Sequence, residues 1–246
     1  MTLIDASLPR SASTLADATE VGSLGIYQLK RYWSRTMAGR QRRFMPTDQH
    51  DRHLDHLVIH ATGLGLEQTA SYLGSNAPTF AEFERWILAT TGGVEPMRVA
   101  RINAAGAGAA YPDEIKRQLA AVEASDPVLS ADDLAFWDEY GYVVLHDAVA
   151  PASREAATQA LWDHLGARPD EPDTRYRRRD HGIMVQYFQH PAFEANRRSP
   201  RIYKAFAQLW GAAELCVTTD RGGFTDRVGF NVPERPGWKF PGPDLH

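Results

Sequence analysis

The chain has 246 residues, enough to bury one large core or two small ones. Apolar residues make up 43% and charged residues 24%, with a formal net charge of −4, so nothing global draws it to nucleic acid or an anionic membrane. Its one cysteine, Cys216, excludes an intrachain disulfide and a thiolate metal cluster; in the run 213–217 it reads as a small buried hydrophobe.

The opening residues carry no charged-then-apolar signal pattern. No stretch approaches the ~18 apolar residues of a membrane span, so a soluble, cytoplasmic protein is expected, with neither membrane nor nucleic acid as a partner. Residues 1–22, rich in Ser, Ala and Thr near the start, read as a flexible tail.

Residues 23–110 read as a helical N-terminal region. Leu24, Tyr27, Gln28, Lys30, Arg31 and Arg35 suit a basic amphipathic helix, with Pro46 ending its neighbourhood. Leu54, Leu57, Val58 and Ala61 share one face of a second helix over 51–61. Gly63 and Gly65 interrupt it, and 66–73 gives a short third helix. Thr79 and Glu82 form a capping-box pattern, opening a helix with an apolar stripe of Phe80, Phe83, Trp86 and Ile87 that Gly92 and Gly93 close. The small-residue stretch 103–110 (NAAGAGAA) reads as a linker or packing surface. Its glycines do not complete a dinucleotide fingerprint.

The second half reads as α+β. Ser130 caps a helix carrying Leu134, Phe136 and Trp137, which ends at Gly141. Residues 142–145 (YVVL) have strand composition. A helix over 151–165 closes at Gly166, and a charged loop fills 168–180. Strands are predicted at 183–188 and 214–219, with a helix over 199–210 between them. From Gly222 the chain is rich in Gly and Pro, which favours loops and short edge strands.

Two segments carry a family likeness. One is 134–149 (LAFWDEYGYVVLHDAV); the other is 240–246 (FPGPDLH), preceded by 226–231 (DRVGFN). Together they resemble the opening of the catalytic domain and the approach to the iron motif of the phytanoyl-CoA dioxygenase-like Fe(II)/2-oxoglutarate-dependent oxygenases. The likeness spans roughly 130–246, and more weakly the front, through 63–69 (GLGLEQT) and 78–87 (PTFAEFERWI).

The resemblance implies a helical N-terminal region followed, over 125–246, by the N-terminal part of a double-stranded β-helix (jelly-roll or cupin-type) domain. It implies Fe(II) and 2-oxoglutarate as cofactors, and a small-molecule or carrier-tethered substrate for hydroxylation. In that family a His is followed two residues later by Asp, and a distal His completes the iron site. Two imidazoles and one carboxylate leave positions open for co-substrate and oxygen.

His246 is the residue that matches the first iron ligand. The Asp ligand, the distal His and the co-substrate Arg have no counterpart in these 246 residues. The chain therefore reads as a fragment, expected to bind neither cofactor tightly and to be inactive in isolation. Asn231 and then Gln186 are the candidate 2-oxoglutarate contacts, although either side chain also suits a satisfied strand-edge amide. Asp244 stands in the reverse order to the motif and reads as a loop residue.

Three further features admit plain and functional readings. His53, His56 and His60 fall within about 60° on one helix face, with His50 just before them. That spacing suits a nitrogen-ligand metal site or, more plainly, a polar flank. The arginine runs 39–43 (GRQRR) and 175–179 (RYRRR) suit either an anionic carrier group or a solvated face, the second run being flanked by Asp173 and Asp180. No Ser-His-Asp elbow, phosphate-binding loop or deaminase pattern is present. The alternative to the oxygenase is a non-catalytic helical binding module with a remnant oxygenase domain, its contact surface formed by the basic first helix and the Trp86 helix.

Overall fold

The structure is a computed structural model describing residues 15–41, 49–176, 184–213, 228–230, 232 and 236–237. These residues are mostly helical. In chain order the helices are α1 (Leu29–Arg40), α2 (Gln49–Ala61), α3 (Leu66–Asn76), α4 (Phe80–Thr91), α5 (Pro96–Ala107) and α6 (Asp113–Ala124). They continue with α7 (Ala131–Tyr140), α8 (Pro151–Leu165), α9 (Pro191–Arg197) and α10 (Pro200–Trp210). A short 3-10 helix, Pro172–Tyr176, follows α8. Strands β1 (Met184–Val185) and β2 (Val228–Gly229) form one antiparallel pair, with Met184 opposite Gly229 and Val185 opposite Val228. A helical front is thus observed, and the described residues contain no jelly roll.

The front core is built by α1 to α5. Ile26, Leu29, Val58, Ile59, Leu64, Leu73, Phe83 and Ile87 are almost fully buried together. Tyr72 and Trp86 stack at 4.1 Å beside them, and Trp33 Nε1 donates to the Pro78 carbonyl at 2.9 Å. The predicted capping box on α4 is formed: Thr79 Oγ1 accepts from Glu82 N at 3.3 Å, and the Glu82 carboxylate accepts from Thr79 N at 2.8 Å. Glu84, from the same helix, is buried and accepts from Ser23 N, Ser23 Oγ and Leu24 N at 2.9–3.0 Å. Within the expected tail, residues from Ala16 on are held against α1: Arg31 donates to the Ala16 carbonyl and Gln28 N to the Ala18 carbonyl.

The stretch read as a linker is helical. Residues 103–107 complete α5, and Gly108 closes it in the left-handed conformation at φ 61°. Alanine is the best helix former, so low complexity here reflects helix rather than coil. Asn103 shows why the helix is fixed in place. Its Oδ1 accepts from Tyr27 N and its Nδ2 donates to the Gly25 carbonyl, both at 2.8 Å.

The rear has two smaller cores. Ile115 and Leu119 of α6 pack with Tyr203 and Ala207 of α10 and with Ala213. Lys204 and Gln208 of α10 reach across to the backbone after α6. Lys204 Nζ donates to the carbonyls of Val122 and Glu123 at 3.0 and 2.9 Å. Gln208 accepts from Val128 N and Leu129 N and donates to the Leu129 carbonyl. In the other core, Ala167, Val185, Phe230 and Val232 pack around the β1–β2 pair.

Two strand expectations are corrected. Residues 142–145 form no strand; Tyr142 and Val144 are 57% and 62% exposed. Strand composition is realised only when a neighbouring edge supplies the ladder, and none of the described residues does so here. Among the described residues of the strand predicted over 183–188, only Met184 and Val185 are in a strand, and Gln186 to Phe188 are not. The strand predicted at 214–219, with Cys216, lies outside the described residues.

Front and rear meet where Gly65 faces Phe188, which is 4% exposed. Alongside, Gln68 and Gln189 exchange amide hydrogen bonds at 2.8 and 3.2 Å, and Gln189 Nε2 also donates to the Gly63 carbonyl. Arg98 of α5 pairs with Glu194 of α9 at 2.6 Å.

Candidate functional site

Gln186 immediately follows β1 and is half-buried. Its neighbour Val185 is buried against Phe230 and Val232, so the pairing of β1 with β2 sets its backbone beside the 228–230 segment. Around this pair is an aromatic group. Tyr187 stacks on His164 at 4.0 Å and meets His190 and Phe193 at 5.0 and 5.6 Å. Trp162 meets Phe230 edge-on at 5.3 Å.

His190 has a structural task in this group. Its Nδ1 accepts from Ala192 N at 3.2 Å, capping α9, which requires that nitrogen to be unprotonated. The other two candidates, Asn231 and His246, lie outside the described residues, as does Asp244. The structure therefore brings no pair of the predicted site residues together for description.

A facial iron site needs two imidazoles and a carboxylate converging on one point. Among the described residues, no group of three or more His, Cys, Asp or Glu side chains is placed to hold a metal ion. These residues do not by themselves fit an iron centre, and no step of iron chemistry follows from them.

The histidine-rich α2 resolves as a polar flank. His50, His53 and His56 are exposed, whereas His60 is 8% exposed and lies on the core side. His50 and His53 instead border an open cleft of about 710 Å3 between α2, the end of α5 and α6, with Tyr111 and Lys116 on its other wall. Lys116 is paired with Asp113 at 3.1 Å.

The basic face of α1 is turned inward. Arg31 holds Asp51 through two bonds of 2.9 Å, and Arg35 holds both Asp51, at 2.8 Å, and Asp55. Gln28 is buried in the left-handed conformation at φ 65° and donates from Nε2 to both aspartates. The hydrogen bonds from Arg31 lower the Asp51 carboxyl below its ordinary range, while burial raises that of Asp55. Burial also pushes the nearby Tyr32 phenol up to about 12. Arg31 and Arg35 thus serve the junction of α1 with α2 rather than an outer contact surface.

The two arginine runs are partly described. Arg40 donates to the Leu73 carbonyl at 3.1 Å, near the end of α3. Arg175 donates to the Pro169 carbonyl of its own loop and lies over the Trp162 ring at 5.8 Å. Arg42, Arg43 and Arg177 to Arg179 lie outside the described residues.

Sequence reasoning missed one charged group altogether: Arg98, Arg197 and Arg198 gathered around Glu194 and Glu95. Its members come from segments almost 100 residues apart, with no motif joining them. Only the pattern Glu-x-x-Arg-Arg over 194–198 signalled an acidic residue one helical turn from two cations. No helix among the described residues is long and apolar enough to cross a membrane. Comparison with protein families, curated proteins and solved structures found no match.

Proposed function

We propose that this chain supplies the helical front and the opening of the catalytic domain of an Fe(II)/2-oxoglutarate-dependent dioxygenase acting on a small organic or carrier-tethered substrate. The order of elements around Gly141 carries the reading. Helix α7 ends at Gly141, with φ 75°; a non-helical segment follows, and then the long helix α8. The resemblance of 134–149 implies a helix, a glycine, a strand and a second long helix; the two helices and the glycine support the reading, and the strand is not formed. Further support comes from the β1–β2 pair, which joins the segment of Gln186 to the one leading toward Asn231.

In this reading His246 provides one iron ligand, and Asn231 and Gln186 offer amides to 2-oxoglutarate. Iron would supply oxygen activation when bound. The test uses the full-length protein as its gene encodes it. Anaerobic Fe(II) and 2-oxoglutarate should give a visible charge-transfer band, and air should then yield succinate. Substitution His246→Ala should abolish both signals. Retention of both by the variant would refute the assignment.

The second reading, a helical binding module with a remnant oxygenase domain, is favoured by one observation. The front has its own core, running from Ile26 to Ile102. Full-length protein that folds but forms neither signal with wild-type His246 would decide for it.

A further inference from the structure

We propose that helix α7 and the turn after it form a docking surface for a basic amphipathic segment of a partner protein, one in which Lys or Arg stands beside large aliphatic side chains. Among the described residues, every other helix of ten or more residues buries at least two side chains, and α7 buries none. Its inner side is held by Leu134 and Trp137, which are half-buried.

What α7 exposes is aromatic. Phe136 is 39% and Tyr140 56% exposed, and Tyr142 and Val144, beyond Gly141, are open to solvent as well. The three rings are already gathered: Phe136 lies 4.5 Å from Tyr140 and meets Tyr142 edge-on at 5.0 Å. Rings that hold one another lose little freedom when a partner covers them, and a contiguous exposed apolar patch of this kind marks a contact surface.

The charges on this surface select the partner. No lysine or arginine occurs between Arg117 and Arg154, whereas 130–150 contains Asp132, Asp133, Asp138, Glu139 and Asp147. Asp133 is engaged in the α7 capping box, and the other four are exposed. Packing brings Arg201 to the His146 carbonyl at 3.2 Å, and the four exposed carboxylates still outnumber it. Asp132 and Glu139 stand four residues before and three after Phe136, on the helix face that also carries Tyr140. Carboxylates therefore alternate with rings along one face. An acidic peptide or an anionic lipid surface would meet like charge there, and a purely apolar one would bury carboxylates without a counter-ion. A segment with aliphatic side chains at helical spacing and cations beside them satisfies both the rings and the carboxylates.

The proposal is independent of the oxygenase reading, because His246, Asn231 and Gln186 take no part in it and the assay contains neither iron nor 2-oxoglutarate. Its test is fluorescence anisotropy of a labelled amphipathic peptide built only of Leu and Lys, titrated with the 246-residue chain. The comparison peptide has Glu in place of every Lys. Saturable binding of the Leu/Lys peptide is expected, weakening as sodium chloride is raised, with no binding of the Leu/Glu peptide.

Substitution Tyr140→Ala should weaken binding about tenfold. Substitution Glu139→Gln should weaken it about threefold. Ser71→Lys, on the exposed side of α3, changes the net charge by the same amount and should leave the affinity unaltered. Circular dichroism verifies that the variants fold. Equal binding of the two peptides, absence of saturable binding, or equal effects of Glu139→Gln and Ser71→Lys would overturn the proposal. So would sedimentation showing that the chain self-associates and that Tyr140→Ala makes it monomeric, which would assign the surface to a second copy.

Discussion

Substitution Gly65→Ala tests how front and rear are joined. Gly65 has φ −78° and ψ 142°, a conformation open to any residue, so alanine meets no backbone strain. What it meets is Phe188: an added Cβ would lie 2.7, 2.8 and 2.9 Å from three carbons of that ring. The ring is 4% exposed, so it is surrounded by protein and can move away only by disturbing its neighbours. Overpacking of this kind costs about 1–3 kcal/mol. Exchanging glycine for alanine at an N-cap adds about 0.5–1 kcal/mol.

Urea denaturation of Gly65→Ala, Phe188→Ala and the double variant separates these contributions. Phe188→Ala should cost about 3–5 kcal/mol on its own. Once the ring is gone, Gly65→Ala should cost only the N-cap preference, so the double variant should cost at least about 1 kcal/mol less than the sum of the singles. Additivity within about 0.5 kcal/mol would show that the two positions do not touch, and would refute the described junction.

Three other outcomes are expected. Thr79→Ala should lower stability by about 1 kcal/mol in urea denaturation, through loss of the α4 cap. Phe83→Ala should cost about 3–5 kcal/mol in the same assay, because the ring is fully buried in the front core. Hydrogen bonding and charge from Arg98, Arg197 and Arg198 overcome the effect of burial and hold Glu194 at about 2, below its ordinary 4.5. Its contribution is therefore fully present above pH 4.5 and lost as the pH falls toward 2. A shift of that size corresponds to at most about 3.4 kcal/mol. With the side chain one-third exposed, screening reduces it to roughly 1–2 kcal/mol, which should be missing from the acid titration of Glu194→Gln.

The helices were legible where a local rule fixes them. Thr79, Ser130 and Ser199 cap α4, α7 and α10 as their side-chain chemistry requires, and Gly141 and Gly166 close α7 and α8. Helix α5 was obscured because Asn103 and two glycines look like coil, while what fixes the helix is a bond from Asn103 to a turn more than 70 residues earlier. Helix α6 escaped notice beside it. The strand composition of 142–145 misled for the opposite reason, since a strand also depends on a partner. Neither the α1–α2 ion network nor the arginine group between α5 and α9 could be read whole from sequence: Glu194, Arg197 and Arg198 share a helical spacing, but packing alone brings Arg98 and Glu95 to them.

The grip of α10 on the segment after α6 has a consequence for variation. Lys204 and Gln208 bind Val122, Glu123, Val128 and Leu129 through main-chain atoms, which every residue type shares apart from the missing N–H of proline. Substitutions at Val122 or Val128 that keep the local backbone leave these bonds in place. Replacing Lys204 or Gln208 removes several bonds at once. Drift in sequence should therefore be tolerated on the gripped side and resisted on the gripping side, an asymmetry that a mutational scan across both segments would display directly.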